Sequence, residues 1–129
     1  MVVETISEKI RKQQFKSLAD DGLLVIDSGD ASNNTNTLYT VPSGKVFYIV
    51  SVTIQTYDTT GASGGLGTLT INGKEIFRIS AADIDETQQI LSLSFSIPLK
   101  IIAAETIKLI SDRTQFNVKG TFSGYEFDA

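Results

Sequence analysis

From residue 20 to the end of the chain, apolar and polar positions alternate in short runs, the period-two pattern of β-strands. The clearest run is Lys45 to Tyr57, KVFYIVSVTIQTY, β-branched and aromatic almost throughout. Val46, Tyr48, Val50, Val52 and Ile54 share one face; Phe47, Ile49, Ser51, Thr53 and Gln55 share the other, which turns polar toward its end. The first face is therefore the expected core lining. The run Gln89 to Ile97, QILSLSFSI, sets Leu91, Leu93, Phe95 and Ile97 against Ser92, Ser94 and Ser96. One dry and one wet face predict an antiparallel sheet.

Turn residues punctuate these runs. Pro42-Ser43-Gly44 precedes the long strand, and Asn72-Gly73 is a strong type I′ hairpin signal, since both of its residues accept positive φ. Ala103-Ala104-Glu105 reverses the chain, Pro98 belongs at a strand start or sheet edge, and Gly120 with Gly124 predicts a bulged or bent last strand. The pattern predicts about eight strands, near 23–28, 37–42, 45–57, 66–72, 74–80, 89–97, 99–111 (broken at the Ala-Ala-Glu turn) and 115–127. Without intervening helices, these predict a mainly β fold, an antiparallel two-sheet sandwich of jelly-roll-like form. A short helical turn is the alternative to a plain loop at 81–88.

The first twenty residues differ. ETISEKIRKQQFKSLA, residues 4–19, lacks Gly and Pro and is rich in residues that tolerate helix. Val3, Ile6 and Ile10 share a stripe, with Phe15 and Leu18 further round. Thr5 or Ser7 caps the start, and Asp20-Asp21-Gly22 stops it. One α-helix of this length is marginal alone and must pack on something. The expected organisation is an N-terminal helix or attachment arm at 1–20 and a β-sandwich domain at 21–129. The arm holds four basic and three acidic residues, a mild positive bias against an acidic remainder, which favours docking on a protein surface over lipid or nucleic acid.

Composition narrows the chemistry. The 129 residues include no Cys, His or Trp. Disulfides, thiol nucleophiles, His-based triads and zinc fingers cannot be built from them, so the chain reads as a non-enzyme with no cofactor and no metal. A net charge of −4 argues against a dedicated nucleic-acid binder. The apolar stretches, such as Leu23 to Ile26, are too short to span a bilayer, and the N-terminus has no secretory h-region. Made without a secretory leader, the chain belongs to a cytosol, and the Asn33-to-Thr35 sequon is read as chance.

Three polar stretches are weighed as sites. TTGASGGLG at 59–67 lacks the helix and the Lys-Ser/Thr pair of a phosphate loop, and reads as a flexible inter-strand loop. Asp27, Asp30, Asn33 and Asn34 offer hard oxygens, but their spacing is not that of an EF-hand; they read as a surface turn. Asp83, Asp85 and Glu86 read as a solvated loop, and an enzyme would need a cleft that unites distant carboxylates. Together with Tyr39, Tyr57 and Tyr125, the loops at 27–36 and 59–67 form the candidate ligand surface of a carbohydrate- or receptor-binding module at a fibre or tail tip.

The order of segments resembles that of small β-sandwich virion proteins of tailed phages and some archaeal viruses. The resemblance lies in LYTVPSGKVFYIVSVTIQT, a Gly/Thr loop, LTINGKEIFRI, LSFSIPLKIIAAETIKLIS and FNVKGTFSGYE, over about 38–127. Val41 to Lys45, Ile71 to Gly73 and Gly124 to Glu126 match its "VPxGK", "ING" and "GYE" elements; Ala104 departs, standing where glycine is expected. The resemblance implies a non-enzymatic structural part of a virion, assembled in the host cytoplasm: a capsid decoration, head fibre or tail accessory protein. The expected partners are the chain itself, as a trimer, and other virion proteins, with no nucleic acid and no membrane. The expected contacts are Val3, Ile6, Ile10, Phe15 and Leu18 of the arm, with Phe47 and Ile49 covered by the helix or by a neighbouring subunit.

Overall fold

The structure, a computed structural model, describes residues 5, 6, 8, 9, 20–57, 65–81 and 89–129. At the N-terminus, Thr5 and Glu8 form a reciprocal cap. The Glu8 N–H donates to Thr5 Oγ1 at 3.1 Å, and the Thr5 N–H donates to Glu8 Oε2 at 3.2 Å. Ile6, Glu8 and Lys9 have helical backbone, as do Asp20 and Asp21 just before Gly22. The rest of the expected helix, with Val3, Ile10, Phe15 and Leu18, lies outside the described residues, as does 82–88.

Eight strands follow: β1 (Leu23–Ala31), β2 (Thr35–Thr40), β3 (Lys45–Thr56), β4 (Gly65–Ile71), β5 (Lys74–Ala81), β6 (Ile90–Ile102), β7 (Thr106–Ser111) and β8 (Val118–Asp128). They form two four-stranded sheets, ordered β1-β8-β3-β6 and β2-β7-β4-β5, with every neighbouring pair antiparallel. The first strand pairs with the last, the second with the seventh, the third with the sixth and the fourth with the fifth. Pro98 lies inside β6 rather than at a strand start. An edge strand tolerates it, and the β3–β6 register is interrupted between Ser94 and Leu99.

The core lies between the sheets and includes Phe47, Ile49, Val52, Ile54, Leu69, Ile107, Leu109, Phe116, Val118 and Phe122, all fully or almost fully buried. This corrects the expected facing of β3. Phe47 and Ile49 are 0% exposed within a single chain and so are not contacts for a neighbour. Phe47 packs on Tyr39 and Phe122, with ring centroids 4.6 and 6.0 Å away. The cause is a β-bulge. Between Ile49 and Ser51 the register shifts, while Gly124 and Ser123 opposite are consecutive, so Val50 is an extra residue. Odd-numbered residues therefore face inward before the bulge, and even-numbered ones (Val52, Ile54 and Thr56) after it. Val46, Tyr48 and Val50, expected in the core, are half-buried.

The turns follow their residues. Asn72 and Gly73 have φ of 50° and 77°, as a type I′ hairpin requires. Ala104, in the turn between β6 and β7, has φ of 70°. Its N–H donates to the Val41 carbonyl at 3.0 Å, and the Glu105 N–H donates to the Ile102 carbonyl at 3.0 Å, which holds the turn in that state. A left-handed alanine costs about 1–2 kcal/mol that glycine does not. Ala104→Gly is therefore expected to stabilise the protein by about 1 kcal/mol net of the greater freedom of unfolded glycine, or ~4 °C in Tm. Thermal unfolding checks this; an unchanged or lower Tm counts against the strained turn.

Candidate functional site

Apart from Ile6, every exposed large hydrophobic side chain among the described residues lies on two strands. Leu23, Leu24 and Ile26 are on β1; Ile90, Leu91, Leu93, Ile97, Leu99 and Ile102 are on β6. These strands are the two edges of one sheet. Isolated exposed apolar residues are ordinary, but their confinement to two edges of one sheet is not, and such patches mark contact surfaces. Exposure reaches 64% at Leu23 and Ile26 and 65% at Ile97.

Strand register extends the surface across the outward face of the same sheet. Leu24, Tyr125, Tyr48 and Lys100 stand in one cross-strand row, and Phe127, Val46 and Ile102 in a second. Tyr48 and Phe127 meet edge to face, with centroids 5.6 Å apart. Toward the other end of the sheet this face becomes hydroxylated. Ser51 and Ser123 are hydrogen-bonded at 2.5 Å, and Thr53 and Ser92 at 3.0 Å. The outward face of the second sheet is chiefly polar, with rows Thr35-Ile110-Thr68-Arg78 and Thr37-Lys108-Thr70-Glu75. The two outer faces are thus chemically different, and among the described residues only the first presents apolar edges.

A shallow depression of about 400 Å³ opens beside the first residues of β1, lined by Asp21, Leu23, Lys45, Glu126, Phe127 and Asp128. Three of its four charged side chains have partners within the chain. Lys45 pairs with Asp128 across the β3–β8 ladder, and the hydrogen bond from its ammonium holds the Asp128 carboxyl below the usual range. The Tyr39 hydroxyl donates to Glu126 Oε2 at 2.6 Å, from one sheet to the other. Burial and the adjacent carboxylate push the Tyr39 phenol well up, so it stays a neutral donor. Tyr39 therefore ties the sheets together, its half-buried ring packed on Phe47 and Phe122.

The other residues singled out by sequence are not assembled into one pocket. Asp27 and Asp30 lie on β1 rather than in a loop, three positions apart and so on opposite faces of the strand. The intervening bend is only Ser32 to Asn34, with Asn33 at φ 51°. Asp30 is the register partner of Lys119, whose ammonium stands 5.8 Å from the Tyr57 ring. Tyr125 is beside Tyr48, at the far end of β3 from Tyr57. Residues 58–64 and Asp83, Asp85 and Glu86 lie outside the described residues. What sequence reasoning missed is the edge surface itself. Its signal was the excess of apolar residues on β6 over what one inward face can bury.

No family model matches the sequence, and no curated protein matches it significantly. Among solved structures, a chain of the acid-stable capsid of Helicobacter pylori bacteriophage KHP30 superposes with a TM-score of 0.51 and 8% identity, over 84% of this chain and 96% of that one. The fold is similar to that of a phage capsid chain. The likeness to small β-sandwich virion proteins, read from strands and turns, is met at the level of fold. Two structures of a pentameric capsid protein from metagenomic phage sequences align over 99% of this chain and 75% and 78% of theirs. Their identity is 18% and their TM-score 0.43, too loose to define a shared topology.

Proposed function

We propose that this chain is a non-enzymatic structural protein of a virus particle, of capsid-decoration or fibre-like type, which self-assembles and attaches through its N-terminal arm. The observation that carries the reading is the confinement of exposed apolar side chains to the two edges of one sheet, on a fold shared with a capsid chain. A monomer gains nothing from such edges and risks aggregation; an assembly subunit covers them. The nested strand pairing, first with last through fourth with fifth, supports a jelly roll, an architecture common among capsid proteins. The Thr5–Glu8 cap supports a helix start in the arm, and Ile6, 78% exposed, is available for contact. A closed homo-oligomer, a trimer first, together with other virion proteins, forms the set of partners.

Mass spectrometry of purified particles of the encoding virus is expected to find peptides of this chain at stoichiometric copy number. Deleting residues 1–20 is expected to leave the β-type circular dichroism spectrum intact and to abolish co-sedimentation with the particle. A truncated protein that still sediments with the particle would remove the attachment role from the arm.

A further inference from the structure

We propose that copies of this chain join edge to edge, the β1 edge of one packing its apolar side chains against the β6 edge of the next. The contact is heterologous and passes from copy to copy around a closed ring. The inference deepens the self-assembly reading and rests on it.

The placement of the apolar residues comes first. Three exposed large hydrophobics are on β1 and six on β6, and two further strands separate these edges. At about 4.8 Å per strand spacing they are ~15 Å apart on opposite rims of the sheet, so a neighbour that meets the sheet edge-on covers one of them and not the other. A two-fold contact uses one edge twice and leaves the other in water. A head-to-tail contact covers both edges of every copy with one kind of interface, whereas two-fold contacts would need β1 against β1 as well as β6 against β6; head-to-tail contacts close into rings when the rotation permits.

Charge distinguishes the pairings. Residues 20–31, DDGLLVIDSGDA, carry four aspartates and no base; residues 90–102, ILSLSFSIPLKII, carry Lys100 and no acid. Two β1 edges brought together double that acidic charge across one contact, which is repulsive. A β1 edge against a β6 edge brings Lys100 toward the aspartates. The form of the contact follows from β6. Pro98 has no N–H to donate, and the register break beside it keeps the strand from being a flat template. The edges therefore meet through side chains such as Ile26 and Ile97 rather than through an unbroken main-chain ladder.

The test uses two full-length variants, one blocked at β1 (Leu24→Glu with Ile26→Glu) and one at β6 (Ile97→Glu with Ile102→Glu). All four positions are at least half exposed within the chain, so both variants are expected to keep the wild-type circular dichroism spectrum. Their serine counterparts repeat the test should a glutamate pair misfold. In sedimentation, the wild type is expected as an oligomer and each variant as a 14.0 kDa monomer. An equimolar mixture is expected to form a dimer and stop, because it holds one compatible pair of edges. If both variants keep the wild-type mass, the edge assignment fails while self-assembly stands. If only one variant dissociates and the mixture forms no mixed dimer, the contact is two-fold and the ring is refuted. A wild type that stays monomeric refutes self-assembly and this inference together.

Discussion

Phe47→Ala is expected to cost about 3–5 kcal/mol of folding stability, a large share of the ~5–15 kcal/mol that holds a domain of this kind together. Phe47 is fully buried, and its ring is packed by Tyr39 from the opposite sheet and by Phe122 from the neighbouring strand. Truncation removes both the transfer of the ring from water and the dispersion contacts around it. The backbone cannot close over the space, because Phe47 lies in mid-ladder, paired with Glu126 and Ile101 on its two sides. Urea unfolding of the wild type, Phe47→Ala and the exposed control Ile102→Ala gives the comparison. The control is expected to change stability by less than ~1 kcal/mol, as surface substitutions do. If Phe47→Ala unfolds like the control but dissociates an oligomer, the residue is a subunit contact and the bulged facing of β3 is wrong.

Gly124→Ala is expected to lose about 3 kcal/mol or more, close to 10 °C in Tm, for the opposite reason: a methyl group with nowhere to go. A Cβ at Gly124 would stand 2.3 Å from the Tyr48 carbonyl oxygen and 2.5 Å from the Phe47 ring. A ring alone can turn, but the carbonyl belongs to the adjacent strand and moves only if β3 and β8 part. Gly120 on the same strand supplies the contrast. A Cβ there meets Leu38 Cδ1 at 2.9 Å, the end of a flexible side chain, so Gly120→Ala is expected to cost about 1 kcal/mol. Thermal unfolding of the pair decides: equal losses at the two positions would mean that β3 and β8 do not approach as closely as described.

Both effects arise at one place, where Val50 bulges out of β3 opposite the Gly124–Ser123 step. That place also shows how far the sequence can be read. The number of strands, their antiparallel pairing and the Asn72-Gly73 hairpin were legible, because they depend on local alternation and on residues that tolerate positive φ. The departure at Ala104 was legible as well, and the structure holds that residue at positive φ. The facing of Phe47 and Ile49 was not. A period of two carries no phase across an inserted residue, and in VFYIV both faces are apolar. The one local hint was the change of Ser51, Thr53 and Gln55 to polar after Ile49, which is the alternation switching faces.

The edge surface was readable only in part. The sequence showed more apolar side chains on 89–102 than one face of a strand buries, but Leu91 and Leu93 read as core. They are 41% and 39% exposed because β6 has a partner on one side only, and strand order is set by contacts between residues far apart in the chain. The sequence by itself thus determined the class of fold, its turns and the scarcity of catalytic groups, all of which follow from residue type and near neighbours. Tertiary structure alone decided which strands became edges, which side of β3 became core, and that Asp27, Asp30, Tyr57 and Tyr125 do not converge. The reason is physical: burial is a property of the pairing between distant segments, and alternation along one strand cannot encode what lies beside it.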